Sequence, residues 1–369
     1  MPDPRPFEEV RQILVERARQ HRNPFALADP LKVESTLAGL DSVEPQAWVE
    51  AFSALAAPHQ GVAAMAERAG DTQTAAREYL LAYEYWRVAR YPAPNSAPKQ
   101  EAYRASQQLY LKAAYWFDPP LERVWMPFQG RADEGQFVLG DLRKPNGVAP
   151  PYPLVIHWGG IDSFKEERRS EPYLAAGLAA LAIDMPGVGD APLDGSTDAE
   201  RQWDAVFDWI AGRDDLDARR VALHGNSTGG YWAAKLAHTH RDRIRAAVDH
   251  GGPAHHAFQP DWIARAQTGE YPFELAETLA SAFGGKSYDD WLTIAPGLSL
   301  LNQGILDAPS APLLLVNGVQ DSIFPIQDMY VLLEHGTPKS ARLFADEAHM
   351  GGSQAMEVVI DWLAAHLLA

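Results

Sequence analysis

Ser227 stands in the pattern Gly225-x-Ser227-x-Gly229, inside Val221-Ala-Leu-His-Gly-Asn-Ser-Thr-Gly-Gly230. An apolar run precedes it and a helix-like stretch, 231–237, follows. Strand, sharp turn and helix in that order project a serine hydroxyl from a sheet edge as a nucleophile. The flanking glycines let strand and helix approach without a Cβ clash, and the start of the next helix favours developing negative charge. Such a hydroxyl needs a base, and the base needs an acid to orient it. Leu313-Leu-Leu-Val-Asn-Gly-Val-Gln-Asp321 reads as an apolar strand, a Gly turn and a carboxylate. Ala341-Arg-Leu-Phe-Ala-Asp-Glu-Ala-His349 reads as a last short strand and a loop ending in histidine. The expected set is Ser227 as nucleophile, Asp321 as acid and His349 as base, in the chain order serine, acid, histidine. Asp249 is an alternative acid, but Asp321 fits that order better.

Attack on a carbonyl also needs two N–H donors for the oxyanion. One is expected from Thr228, the residue after the nucleophile. The other is expected from Gly159-Gly160-Ile161-Asp162, with Gly160 as donor and Gly159 shaping the turn. Asp162 reads as a turn or cap residue. His255, His256 and Trp158 are candidates for substrate contact. No metal is expected, since His255-His256 lacks a third ligand at suitable spacing. No cofactor is expected either: Asp184-Met-Pro-Gly-Val-Gly189 is Gly-rich but lacks the G-x-G-x-x-G spacing.

These residues require a sheet to carry them. Strand-like segments fall at 122–128, 135–142, 154–158, 179–183, 220–224, 245–249, 312–317 and 341–344. Helical patterns lie between most of the later ones, at 171–178, 199–211, 231–238 and 326–334, with a terminal helix at 353–368. That alternation predicts an α/β fold with a mostly parallel, doubly wound sheet. The first two strands, with no helix between them, suggest an antiparallel start. The long helix-rich interval at about 253–309 reads as a lid insertion. Residues 1–119 read as a separate helical domain, and Pro119-Pro120 marks the boundary before a catalytic domain at 120–369. Within the helical domain, 72–91 and 99–117 form a hairpin around a loop with three prolines. Its stripe of Tyr79, Tyr83, Trp86, Tyr110 and Trp116 is too apolar to leave in water. It is expected to pack on the core, the lid or a second subunit, the last giving a homodimer.

Four parts in the right order identify the α/β-hydrolase superfamily over 120–369. Trp158-Gly-Gly-Ile-Asp-Ser163, Asp184-Met-Pro-Gly-Val-Gly189, Gly225-Asn-Ser-Thr-Gly-Gly230 and Gly251-Gly-Pro-Ala-His-His-Ala-Phe258, behind a helical N-terminal region, narrow this. They resemble the branch that contains 2,6-dihydroxypseudooxynicotine hydrolase and esterases similar to the fermentation-respiration switch protein. The resemblance implies an α/β-hydrolase fold with helical domain and lid, and a Ser–Asp–His triad that falls on Ser227, Asp321 and His349. The extra pocket glutamate of the pyridine-substrate hydrolase has no match here.

Composition sets the remaining bounds. The chain has 369 residues, 46% hydrophobic and 22% charged, with a net charge of −17. Such acidity argues against nucleic acid or an anionic membrane as partner and favours solubility; the expected partner is a small-molecule substrate. There is no cysteine, hence no disulfide, thiolate metal site or cysteine nucleophile. No signal peptide or membrane span is visible, so a cytoplasmic enzyme is expected. The expected reaction is hydrolysis of a carboxylic ester through an acyl-enzyme. Hydrolysis of a C–C bond beside a ketone, acyl transfer, and a non-catalytic regulator on the same scaffold remain the alternatives.

Overall fold

The structure, a computed structural model, describes residues 5–369. It divides into two compact units. One comprises the described residues up to Leu121 together with Pro272–Glu274; the other holds Glu122–Tyr271 and Leu275–Ala369.

The first unit contains α1 (Phe7–Arg19), α2 (Pro30–Ala38), α3 (Pro45–Ala69), α4 (Thr72–Arg90) and α5 (Ala97–Ala114). Side-chain caps start several of them. Asp29 accepts from Leu31 N ahead of α2, and Asp71 from Thr74 N ahead of α4. The aromatic stripe lies on α4, on α5 and just beyond α5. The Tyr79 ring stacks on Trp116 at 6.2 Å, and Tyr83 lies 5.4 Å from Tyr110. Tyr79 O–H donates to Glu67 at 2.7 Å. Four of the five rings thus pack in pairs inside the unit. A buried ion pair adds definition. Glu84 accepts from Arg87 on its own helix and from Leu27 N at 2.7 Å, while Arg87 donates to Pro24 O at 2.6 Å. Both charges are therefore hydrogen-bonded, as buried charge requires. Pro272–Glu274, which the sequence places within the insertion, belongs here too. Phe273 packs edge-on against Trp48 at 5.8 Å and against Tyr91 at 5.5 Å, under the ammonium of Lys99.

The second unit is built on an eight-stranded sheet in the order β1-β2-β4-β3-β5-β6-β7-β8. The strands are β1 (Leu121–Pro127), β2 (Phe137–Arg143), β3 (Tyr152–Trp158), β4 (Ala179–Ile183), β5 (Leu216–Asn226), β6 (Ala246–His250), β7 (Leu313–Gly318) and β8 (Ser340–Phe344). β2 runs antiparallel to β4, and the pairs from β4 through β8 are parallel. Helices α6 (Glu171–Ala175), α7 (Arg201–Ala211), α8 (Thr228–Thr239), α12 (Gln327–Glu334) and α13 (Ala355–Leu367) connect or follow the parallel strands. The central strands are buried on both faces, which is why they read as continuous apolar runs. Val155, Val248 and Val316 join one core cluster with Val359 and Leu363 of α13. Elsewhere Trp158, Trp203 of α7 and Trp232 of α8 form a chain of tilted rings, 5.0 and 5.4 Å apart. Between β6 and β7 lie α9 (Pro260–Ala266), α10 (Leu275–Ala282) and α11 (Tyr288–Leu298). Parallel strands end on the same side, so the loops after β3, β5, β6, β7 and β8 gather at one edge.

Candidate active site

Ser227 follows β5 and serves as the cap residue before α8, with φ 55 and ψ −131. Positive φ in a residue with a side chain costs about 1–3 kcal/mol and persists only where surroundings enforce it. Here Ser227 N donates to His250 O at 2.8 Å, and Gly230 N donates to Ser227 O at 2.7 Å. The turn is too tight for a side chain at Gly225, where a Cβ would fall 2.1 Å from Gly229 O. Trp158 Nε1 donates to that same carbonyl at 2.8 Å. Trp158 is fully buried. Expected as a substrate contact, it is placed here with its indole N–H bracing the turn.

His349 Nε2 lies 2.9 Å from Ser227 Oγ, and its Nδ1 lies 2.7 Å from Asp321 Oδ2. A carboxylate only accepts, so Nδ1 carries the proton and Nε2 presents a lone pair to the hydroxyl. Asp321 is itself held. Its Oδ1 accepts from Ile323 N at 2.7 Å and Phe324 N at 3.0 Å, and Asn317 Nδ2 donates to Oδ2 at 2.8 Å. Burial by itself would lower the His349 pKa. The charge and hydrogen bond of Asp321, with the charges of Glu270 and Asp162, outweigh it and raise the imidazole above its usual value.

Gly160 lies against the nucleophile: a Cβ there would come 3.0 Å from Ser227 Cβ and 3.2 Å from Thr228 N. A side chain there would crowd the serine and the start of α8. The loop that carries it is pinned by charge. Lys165 is fully buried and donates from its backbone N and from Nζ to Asp184 at 2.8 and 3.0 Å, and its Nζ also meets Glu166 and Asp190. The Asp184 segment thus carries an ion network. Asp162 lies in a turn.

The structure does not bring Asp249 to His349. Asp249 Oδ1 accepts from Gly252 N at 2.7 Å, and Oδ2 has no hydrogen-bond partner among the described residues. Burial, with the charge of Asp328, pushes its carboxyl up to about 7. His255 and His256 open the insertion. Their backbone N–H groups, with those of Ala254 and Ala257, all donate to the buried Asp328 carboxylate, at 2.5–3.2 Å. The His255 ring meets Ser299 Oγ at 2.7 Å. Sequence reasoning did not single out Asn317, Asp328, Lys165 or His250 in these roles. A polar residue inside an apolar strand, as at Asn317 and His250, is the one signal that could have marked them. Among the described residues no group of three or more His, Asp and Glu is placed to hold a metal ion.

A family profile described as "Esterase FrsA-like" matches residues 36–368. The chain belongs to the FrsA-like esterase family. Esterase FrsA of Vibrio cholerae is 27% identical over 331 residues, covering 86% of this chain and 75% of that protein. The 20-hydroxy-prefusarin hydrolase FUS2 of Gibberella moniliformis is 28% identical over 247 residues, and this chain spans only 58% of that relative's length. Among solved structures, 2,6-dihydroxy-pseudo-oxynicotine hydrolase superposes with a TM-score of 0.72 at 23% identity, over 87% of this chain and 89% of that one. AbyA5 superposes with a TM-score of 0.70 at 20% identity, covering 95% and 99%. The fold is that of the α/β-hydrolases, and the relatives are named esterases and hydrolases.

Proposed function

We propose that this chain is a serine hydrolase that cleaves a small or medium carboxylic ester through an acyl-enzyme. The observation that carries the reading is His349 bridging Ser227 Oγ at 2.9 Å and Asp321 Oδ2 at 2.7 Å. Ser227 Oγ attacks the ester carbonyl as its proton passes to His349 Nε2. Asp321 holds the imidazole tautomer and balances the imidazolium. The N–H groups of Thr228 and Gly160 take the oxyanion, at the start of α8 where the helix dipole favours negative charge. His349 then returns the proton to the departing alcohol. Water, deprotonated by His349, attacks the acyl carbonyl and frees the acid and Ser227. The family supports the ester class over the C–C and acyl-transfer alternatives. We further propose that the enzyme works in the cytoplasm on a small molecule. No helix among the described residues is long and apolar enough to cross a membrane.

The test is a panel of aryl esters, β-diketones and amides, with products identified by mass spectrometry. Wild-type protein should turn over esters and show a transient acyl mass on the Ser227 peptide. Ser227→Ala should lose roughly 10⁴- to 10⁶-fold in kcat, the scale for removing one member of a triad. Near-normal turnover by Ser227→Ala refutes the nucleophile. Cleavage of β-diketones with no ester turnover replaces ester hydrolysis by C–C hydrolysis.

A further inference from the structure

Met350, the residue after His349, has φ 76. A side-chain-bearing residue enters that left-handed region only when it is held there. Two side chains from adjacent strands hold it. Asn317 of β7 accepts Met350 N–H on Oδ1 at 3.0 Å. His250, the last residue of β6, bonds the Met350 carbonyl from Nε2 at 2.7 Å. The backbone carbonyl of the same His250 accepts Ser227 N–H at 2.8 Å. One residue therefore ties the backbone of Ser227 to the backbone beside His349.

The His250 ring has its own supports. A carbonyl only accepts, so His250 Nε2 carries the proton. A neutral imidazole has one N–H, so His250 Nδ1 accepts. Its partner is His224 Nε2 at 3.2 Å, which must donate, and the two rings lie nearly parallel, with an interplanar angle of 11°. His224 Nδ1 is then left to accept from Tyr173 O–H at 2.6 Å. Tyr173, His224 and His250 are all buried. Burial keeps both imidazoles neutral, lowering His250 to about 4 and His224 well below its usual value. The hydrogen bonds run one way, from Tyr173 through His224 and His250 to the Met350 carbonyl.

We propose that His250, fixed as its Nε2–H tautomer by His224 and Tyr173, is a positioning residue that sets the placement of His349 relative to Ser227. The inference rests on the serine-hydrolase reading above, since it concerns the same pair. His250 touches no reacting atom; it acts through the backbone of its two neighbours.

Two measurements test it. On wild-type protein near neutral pH, long-range proton–nitrogen NMR of the histidine rings reads the tautomers directly, with His224→Gln and His250→Gln used for assignment. Both rings should carry the proton on Nε2. A proton on Nδ1, or on both nitrogens, of either ring overturns the proposal. Kinetically, His250→Leu removes the donor, while His250→Gln puts an N–H near the Nε2 position. Misplacement of a base by a fraction of an ångström to 1 Å costs about 10- to 100-fold, so His250→Leu should lose that much in kcat with little change in KM. Labelling of Ser227 by a fluorophosphonate should slow in parallel, and His250→Gln should restore most of both rates. Wild-type rates in His250→Leu, or equal losses in the Leu and Gln variants, overturn the proposal. If His250→Leu does not fold, Tyr173→Phe serves instead: it removes the donor to His224 Nδ1 while His224 Nε2 stays bonded to His250, so kcat should fall several-fold with both rings still protonated on Nε2, and a wild-type kcat refutes the chain. Ser227→Ala in the same series separates the two readings. Labelling of Ser227→Ala at the wild-type rate refutes the serine mechanism itself. Silence of Ser227→Ala beside an unaffected His250→Leu refutes only the positioning role.

Discussion

Two carboxylates near Ser227 sit in opposite environments. Asp321 accepts from two backbone N–H groups, from Asn317 and from His349, so its charge is met on every side. Asp249 is equally buried, but one of its oxygens has no partner among the described residues. Asp321→Asn should cost about 10⁴-fold in kcat through the wrong imidazole tautomer, while Asp249→Asn should keep most activity. Steady-state kinetics on the two variants decides; a worse loss for Asp249→Asn would move the acid to β6. Asp249 should reveal itself through stability instead. Its folded value of about 7 lies above the ordinary value of about 3.9, so the folded state binds the proton more tightly. That contribution is complete below about pH 4 and is lost as pH rises through about 7. Urea unfolding of Asp249→Asn should therefore lose this slope, a difference of order a few kcal/mol. In the proposed mechanism His349 sets the pH dependence of turnover. Its raised pKa means that kcat/KM should fall with acid around a midpoint above the usual ~6.5, because only the neutral ring accepts a proton. A pH–rate profile with its acid limb well below 6.5 would contradict this.

At the scale of elements, the loops at the sheet edge are held by side chains from elsewhere in the fold. Asp328 on α12 collects four backbone N–H groups from 254–257, the root of the insertion. Asp328→Ala would leave those donors without their acceptor. A loss of about 2–4 kcal/mol is expected, since each orphaned buried donor costs about 1–3 kcal/mol and partial rewetting offsets some of it. Hydrogen exchange at 254–257 should rise in the same variant. Unchanged exchange there would show that the insertion root holds itself. Lys165 and Asp184 do similar service for the Gly160 loop: both are buried, and each meets the other's charge.

For the whole molecule, the division into two units does not follow the chain order. Pro272–Glu274 leaves the insertion to join the helical unit, where Phe273 rests on Trp48 and Tyr91. A chain trimmed to residues 122–369 would strip Phe273 of those rings. Such a protein should be insoluble or inactive, and protease should cut it near 272–274 before it cuts the sheet. Soluble, protease-resistant protein with wild-type activity would show that the helical unit is a separable appendage. Size-exclusion of the full chain tests the expected homodimer.

The sheet was legible because parallel strands buried on both faces must be apolar along their whole length, and their ends fall at glycines and charges. Leu313–Gly318 and Ala179–Ile183 are such runs. Ser227, Asp321 and His349 were visible for a related reason: each stands just beyond a strand, and the order of strands in the chain carries their order in the site. The helices α1 to α3 were not resolved from one another, because their apolar positions are diluted by alanine and polar residues over long stretches. Strand neighbours in space decide the rest. His224 and His250 lie 26 residues apart, and Asn317 and Met350 lie 33 apart, so no local pattern joins them. Parallel pairing sets His224 of β5 opposite Val248, two residues from His250 on β6, and sets His250 opposite Val316, next to Asn317 on β7; burial then forces each polar atom to find its partner. Local sequence determined where Ser227, Asp321 and His349 stand along the chain; only the packed sheet decided which groups hold them there.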